Sequence, residues 1–237
     1  FFALLFYLFA MNILTTLAAF ALPVGNFNWL ADKELAIVAG LVLITFVGGV
    51  LQALSPKIYR VEVKIAKLPT AFDGFQIAQI SDLHIGEMIG KNYVKRVVHK
   101  TNSTKADVVV LTGDIIDGNP RLTKQDAALL SGLKSREGSF FVTGNHEYYW
   151  ATGAILAQIR SAGIRNLENE SVRFSRGDSE IALVGVPDLA SGKTDVARAV
   201  KGLPPEMTKI LLAHQPAAYR RALESKIDLM LSGHTHG

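Results

Sequence analysis

Residues 108–118 read Val-Val-Val-Leu-Thr-Gly-Asp-Ile-Ile-Asp-Gly, and this stretch decides the class of fold. Its apolar run, Val108 to Leu111, is too short for a helix and suits a strand buried on both faces, as in a parallel sheet. The run breaks at once into Gly113-Asp114, a flexible joint followed by a carboxylate. The same grammar recurs outward in both directions. Residues 75–80 end in Ser81-Asp82-Leu83-His84, and residues 139–143 end in Gly144-Asn145-His146-Glu147. Further on, residues 210–213 end in His214, and residues 229–232 end in Gly233-His234-Thr235-His236-Gly237. Segments of helical character lie between them, at 91–102, 123–133 and 152–162, so the chain reads as an α/β fold. In open α/β sheets, ligands bind beyond the carboxyl ends of the strands. The five endings, with five of the six histidines, are therefore expected to meet at one rim.

Charge divides the chain in two. The 237 residues carry 25 basic and 21 acidic side chains and no cysteine, which excludes disorder, a disulfide scaffold and a thiolate metal site. Residues 1–55 hold only Asp32, Lys33 and Glu34, so the remainder has 25 − 1 = 24 basic and 21 − 2 = 19 acidic groups, a net +5. Residues 1–22 carry no charge, and at about 1.5 Å per residue a helix of that length crosses a hydrocarbon layer of about 30 Å. A second uncharged run follows at 35–55. The expected organisation is a transmembrane hairpin over 1–55, with helices at about 1–22 and 35–55. A linker with a first strand, suggested by the alternation of Val61, Val63 and Ile65, covers 56–73, and the α/β domain covers 74–237. Lys57, Arg60, Lys64 and Lys67 follow the second run closely, which by the positive-inside tendency puts that domain in the cytoplasm of an inner or cell membrane protein. The chain opens on Phe1 and ends at Gly237 inside a motif, so further chain is expected beyond both ends. The +5 excess has no aromatic interleaving, and no nucleic-acid partner is expected.

The groups gathered at the rim are Asp82, His84, Asp114, Asn145, His214, His234 and His236. Imidazoles, carboxylates and one amide without sulfur suit borderline divalent ions such as Mn²⁺, Fe²⁺ or Zn²⁺. Seven ligands exceed what one catalytic zinc takes, but they serve two ions if a carboxylate bridges them. The chemistry such a pair serves is in-line displacement at phosphorus by an acidified water.

The ordered set Asp82-x-His84, Gly113-Asp114, Gly144-Asn145-His146-Glu147, His214 and Gly233-His234-Thr235-His236 resembles the motifs of calcineurin-like metallophosphoesterases. Residues 80–86, 144–149, 166–170 and 182–186 further resemble the bacterial membrane-associated phosphodiesterase branch, which contains YkuE- and YaeI-like proteins and relatives that cleave UDP-diacylglucosamine at its pyrophosphate. The resemblance implies a four-layer α/β/β/α sandwich. It makes Asp82, His84 and His236 ligands of one metal and Asn145, His214 and His234 ligands of the other, with Asp114 bridging. His146 would be the catalytic residue that faces the scissile phosphate and protonates the leaving oxygen or stabilises the transition state. Glu147 is expected to orient neighbours through hydrogen bonds, and Asp117 and Asp188 to form turns. Pro187-Asp188 departs from the paired acidic residues of the branch. Tyr148, Tyr149 and Trp150 either line a pocket or pack beneath the loop.

These readings combine into a membrane-anchored, dinuclear metal-dependent hydrolase of a phosphodiester or pyrophosphate bond, with a lipid-linked or nucleotide-lipid substrate. Two alternatives stay open. One keeps the metals and takes a soluble phosphomonoester or a phosphoprotein, and the other is a non-catalytic metal-binding membrane module.

Overall fold

The computed structural model of the chain describes residues 2–21 and 34–236, in two compact units, 1–57 and 58–237. In the first unit, α1 (Phe2–Ala21) and α2 (Glu34–Ala53) pack against each other. Val38 and Val42, one helical turn apart, are buried, whereas Phe6, Phe9, Leu43 and Ile44 are exposed. The expected pair of membrane spans is not found. Among the described residues, no helix is long and apolar enough to cross a membrane. Residues 22–33, the expected connection, lie outside the described residues, as do several side chains of both helices.

The second unit holds two four-stranded sheets. In the first, β1 (Ile77–Ile80), β2 (Val108–Thr112), β3 (Ser139–Val142) and β4 (Arg165–Asn166) run parallel in that order. In the second, β5 (Glu170–Arg176) and β6 (Ser179–Gly185) form an antiparallel hairpin, turned at Gly177 with φ 59°. Parallel strands β7 (Thr208–Leu212) and β8 (Leu229–Leu231) then extend that sheet. The linker strand expected near Val61 is absent: residues 58–66 join no sheet, and Val61 is 82% exposed. Alternating side chains define a face, but a strand also needs a partner for its backbone groups.

Strand alternation explains why the apolar runs are continuous. Val108 and Val110 face a core shared with Phe140, Leu183 and Ile210, between the two sheets. Val109 and Leu111 face the opposite way. They meet α3 (Lys91–Ser103), which buries Val94 and Val97, and α6 (Thr152–Ser161), which buries Ile155 and Ile159. On the far side of the second sheet, Ala182, Val184 and Leu211 pack on α7 (Val196–Ala199) and α8 (Tyr219–Glu224). Three cores separate four layers, α/β/β/α. α4 (Pro120–Ala127) starts earlier than the periodicity suggests, because Asn119 Oδ1 caps Arg121 N–H at 3.0 Å ahead of Pro120. It then tightens into a 3₁₀ turn, Ala128–Gly132. The short α5 (His146–Tyr149) follows β3 directly.

Candidate metal centre

Parallel register brings the carboxyl ends of β1, β2, β3, β7 and β8 to one rim, and the loops there are laced together. The Asp82 N–H donates to Gly113 O at 3.1 Å, and the His84 N–H donates to Asp114 O at 2.9 Å. The sheets are joined as well: His214 Nδ1 meets Thr112 O at 2.8 Å, and the His234 N–H donates to Asp82 Oδ1 at 2.9 Å. Asp82, His84, Asp114, His234 and His236 all adopt left-handed φ, between 48° and 72°. For residues with a Cβ this conformation carries strain, which surrounding contacts must hold. The sequence pattern suggests that glycines make these turns, yet the candidate ligands themselves turn. Gly113 does adopt φ 91°, whereas Gly144 and Gly233 supply room. A Cβ on Gly144 would overlap Asp114, and one on Gly233 would overlap Ser81.

All the expected residues come together. Three groups have ligand atoms close enough to hold a cation: Asp82, His84 and His236; His84, Asp114 and His146; and Asp114, His214 and His234. Asp114 belongs to two of them. Its Oδ2 lies 3.1 Å from His214 Nε2, 3.9 Å from His84 Nε2 and 4.0 Å from His146 Nε2. Asn145 Oδ1 is 3.2 Å from His214 Nε2, and Asp82 Oδ1 is 3.7 Å from His236 Nε2.

The donor set fits a divalent ion on two observations. His84 Nε2 is buried and has no hydrogen-bond partner, a costly state unless a further group completes it. His214 Nδ1–H donates to the Thr112 carbonyl, which turns Nε2 towards Asp114 Oδ2 and Asn145 Oδ1, a ring orientation common in metal sites. Burial pushes the Asp114 carboxyl up, but hydrogen bonds from His214 and the His146 N–H outweigh it and hold the pKa below 3.8. Burial alone would lower the His214 pKa, whereas the Asp114 partner and the Thr112 carbonyl raise it above 6.5.

Glu147 is fully buried and lies outside all three groups. Its carboxylate accepts the N–H groups of Asp114 (2.9 Å), Ile115 (2.8 Å), Ile116 (3.1 Å) and Gly144 (2.6 Å), clamping the β2 loop to the β3 loop. Burial pushes its pKa up to about 7, against the pull of those donors.

Asp117 is more than the turn former its spacing suggests. Its Oδ2 is 2.9 Å from His146 Nδ1, off the hydrogen-bonding direction, and 3.3 Å from His84 Nδ1. Its Oδ1 accepts Trp150 Nε1–H at 3.0 Å. Burial raises its pKa, but the contacts with His146 and Trp150 outweigh that and leave it lowered. Its place three residues after Asp114, at the same strand end, was the available signal. Ser81 was also missed, and its hydroxyl donates to Asp82 Oδ2 at 2.5 Å. Asp188 does form a turn, its Oδ1 accepting the Ala190 N–H at 2.8 Å. Tyr149 OH accepts from Asn145 Nδ2 at 3.0 Å, and Tyr148 OH is 2.9 Å from Thr143 Oγ1.

The model of the family described as calcineurin-like phosphoesterase matches residues 75–237. A Bos taurus protein named "Transmembrane protein with metallophosphoesterase domain" is 36% identical over 210 residues, which are 82% of this chain and 47% of that one. The Danio rerio protein of the same name is 35% identical over 255 residues, covering 98% of this chain and 57% of that one. "Uncharacterized metallophosphoesterase YkuE" of Bacillus subtilis is 33% identical over 180 residues, 74% of this chain and 63% of that one. The chain spans about half the length of the first two of these curated relatives.

Proposed function

We propose the following from the premise that this chain belongs to the calcineurin-like phosphoesterase family and is a metal-dependent phosphoester hydrolase: it binds two divalent cations at the rim and cleaves a phosphodiester or pyrophosphate bond. Asp82, His84 and His236 hold one cation, Asn145, His214 and His234 hold the other, and Asp114 is shared. The observation that carries this reading is the convergence of three imidazole nitrogens on Asp114 Oδ2, one of them the buried, unpartnered His84 Nε2. When bound, the cations, with Mn²⁺, Fe²⁺ and Zn²⁺ all suited to these donors, would neutralise charge on the phosphoryl oxygens and acidify a water.

The chain's own residues do the rest. His146 donates a proton from Nε2 to the leaving oxygen. Asp117 Oδ2 lies beside its Nδ1, and its Nε2 is on the side of Asp114. Glu147 holds the loop carrying Asn145 and His146 against the loop carrying Asp114.

The test is hydrolysis of bis-p-nitrophenyl phosphate and p-nitrophenyl phosphate by the chain in detergent, metal-stripped and then resupplied with Mn²⁺, beside Asp114→Asn. Metal-restored cleavage that favours the diester and is lost in the variant is the expected result. A preference for the monoester would move the reading to a phosphatase, and the absence of turnover with metal bound would overturn it.

The first unit is proposed to attach this domain to a membrane, with the domain on the cytoplasmic side. The support is composition, with no charge in residues 1–22 or 35–55, and apolar side chains such as Phe6, Phe9 and Ile44 exposed on its helices. The relatives named as transmembrane proteins point the same way. Alkaline carbonate extraction of membranes holding the chain should leave it in the pellet, and release into the supernatant would refute the attachment. A substrate carried on a lipid follows as a proposal from that location, and equal turnover of delipidated analogues would remove it.

A further inference from the structure

Asp188 sits on the turn after β6 and is 2% exposed. The turn does not account for all of its contacts. Its N–H donates to Thr143 Oγ1 at 3.2 Å, two residues before Asn145, and its Oδ1 accepts Gln215 Nε2–H at 2.9 Å, next to His214. Asp188 thus ties together the loops after β3, β6 and β7. Two of those loops carry Asn145 and His214, whose side chains meet at 3.2 Å in the candidate centre.

Charge in that centre is unevenly spread. The position proposed for Asp82, His84 and His236 has two carboxylates, Asp82 and the shared Asp114, and Asp117 Oδ2 lies 3.3 Å from His84 Nδ1. The position proposed for Asn145, His214 and His234 has the shared Asp114 alone. Glu147 directs both of its oxygens to backbone N–H donors. Asp188 differs: its Oδ1 accepts two N–H groups, from Ala190 and Gln215, whereas its Oδ2 is buried with no hydrogen-bond partner. A buried carboxylate so incompletely paired is costly in the metal-free chain, and an Asn or Ser would cap the turn without it. A cation at the position of Asn145 and His214 offsets that cost without touching Asp188, because Thr143, Asn145 and His214 are themselves buried and a charge there is weakly screened.

We propose that Asp188 is a positioning residue for the cation held by Asn145, His214 and His234: it fixes the two loops and supplies negative charge that this ligand set lacks. The inference rests on the two-cation reading and adds the residue that sets the relative affinity of the two positions.

The test is calorimetric titration of the metal-stripped full chain in detergent with Mn²⁺, beside thermal melts of the metal-free protein. Asp188→Asn keeps the Oδ1 acceptor and removes the charge. It should weaken one of the two binding events by about 10–100-fold and leave the other unchanged, while the metal-free chain melts no lower than the wild type. Combined with His236→Ala it should weaken both events, and combined with His234→Ala it should spare one. Asp188→Ser, which also caps Ala190 and lacks the charge, gives the same affinity readout if Asp188→Asn does not fold. Loss confined to the position of His236 would overturn the inference. So would an Asp188→Asn chain that melts lower and loses both events alike, the behaviour of a purely structural clamp. A wild type that binds two Mn²⁺, with both affinities unchanged in the variant, would overturn the inference alone, whereas a wild type that takes a single Mn²⁺ would sink the two-cation reading with it.

Discussion

Asp114 keeps its charge in a nearly closed site because the donors around it outweigh the cost of burial. His146 presents Nε2 to the same carboxylate from 4.0 Å and is only partly buried, a position that lets it reach a substrate without serving as an obligatory ligand. His146→Ala is therefore predicted to retain its metal, measured by elemental analysis, while kcat for a phosphodiester falls by about 10²–10⁴-fold. Full turnover in that variant would remove the proton-donor role. Asp117 acts through His146 and His84, so Asp117→Asn should cost about 10–100-fold in metal affinity or rate. A titration of activity against Mn²⁺ concentration would measure it, and an unchanged curve would return Asp117 to the role of turn former.

At the scale of elements, the loops after β2 and β3 work as one piece. Gly144 packs so closely on Asp114 that an added Cβ would meet its backbone N at 2.5 Å, an atom that cannot swing aside. Gly144→Ala should lower stability by about 1–3 kcal/mol and impair metal binding, and a urea melt with an unchanged midpoint would contradict this. Much of this architecture was legible in the chain. The runs at 108–111 and 210–213 are apolar at every position because both faces of β2 and β7 are buried. Their polar endings announced the rim. Left-handed φ at five candidate ligands was not legible, since nothing local to an aspartate or histidine asks for it and contacts from other loops impose it. The β5–β6 hairpin was missed although Gly177-Asp178 lies between two alternating runs, a recognisable turn signal. Val61 and Val63 carried the alternation of a strand and found no partner.

For the whole molecule, the cluster ties folding, protons and metal together. A histidine whose pKa is raised in the fold gives its full stabilisation below about 6.5 and loses it as pH rises through the raised value. Asp114, lowered below 3.8, contributes above that value and loses its contribution as pH falls through the lowered one. Between about pH 6 and 8, the metal-free chain should therefore lose stability relative to His214→Gln as pH rises. With Mn²⁺ present the trend should reverse, because binding needs neutral imidazoles; thermal melts of both proteins across that range would show it, and parallel pH profiles would speak against a raised His214. In the proposed centre, one carboxylate joins two cation positions built from distant parts of the sequence. Electron paramagnetic resonance of the Mn²⁺-loaded chain beside Asp114→Asn tests that joint directly. The predicted result is an exchange-coupled Mn²⁺ pair in the wild type, replaced in the variant by the spectrum of isolated ions. Isolated ions in the wild type, or coupling that persists without Asp114, would contradict it.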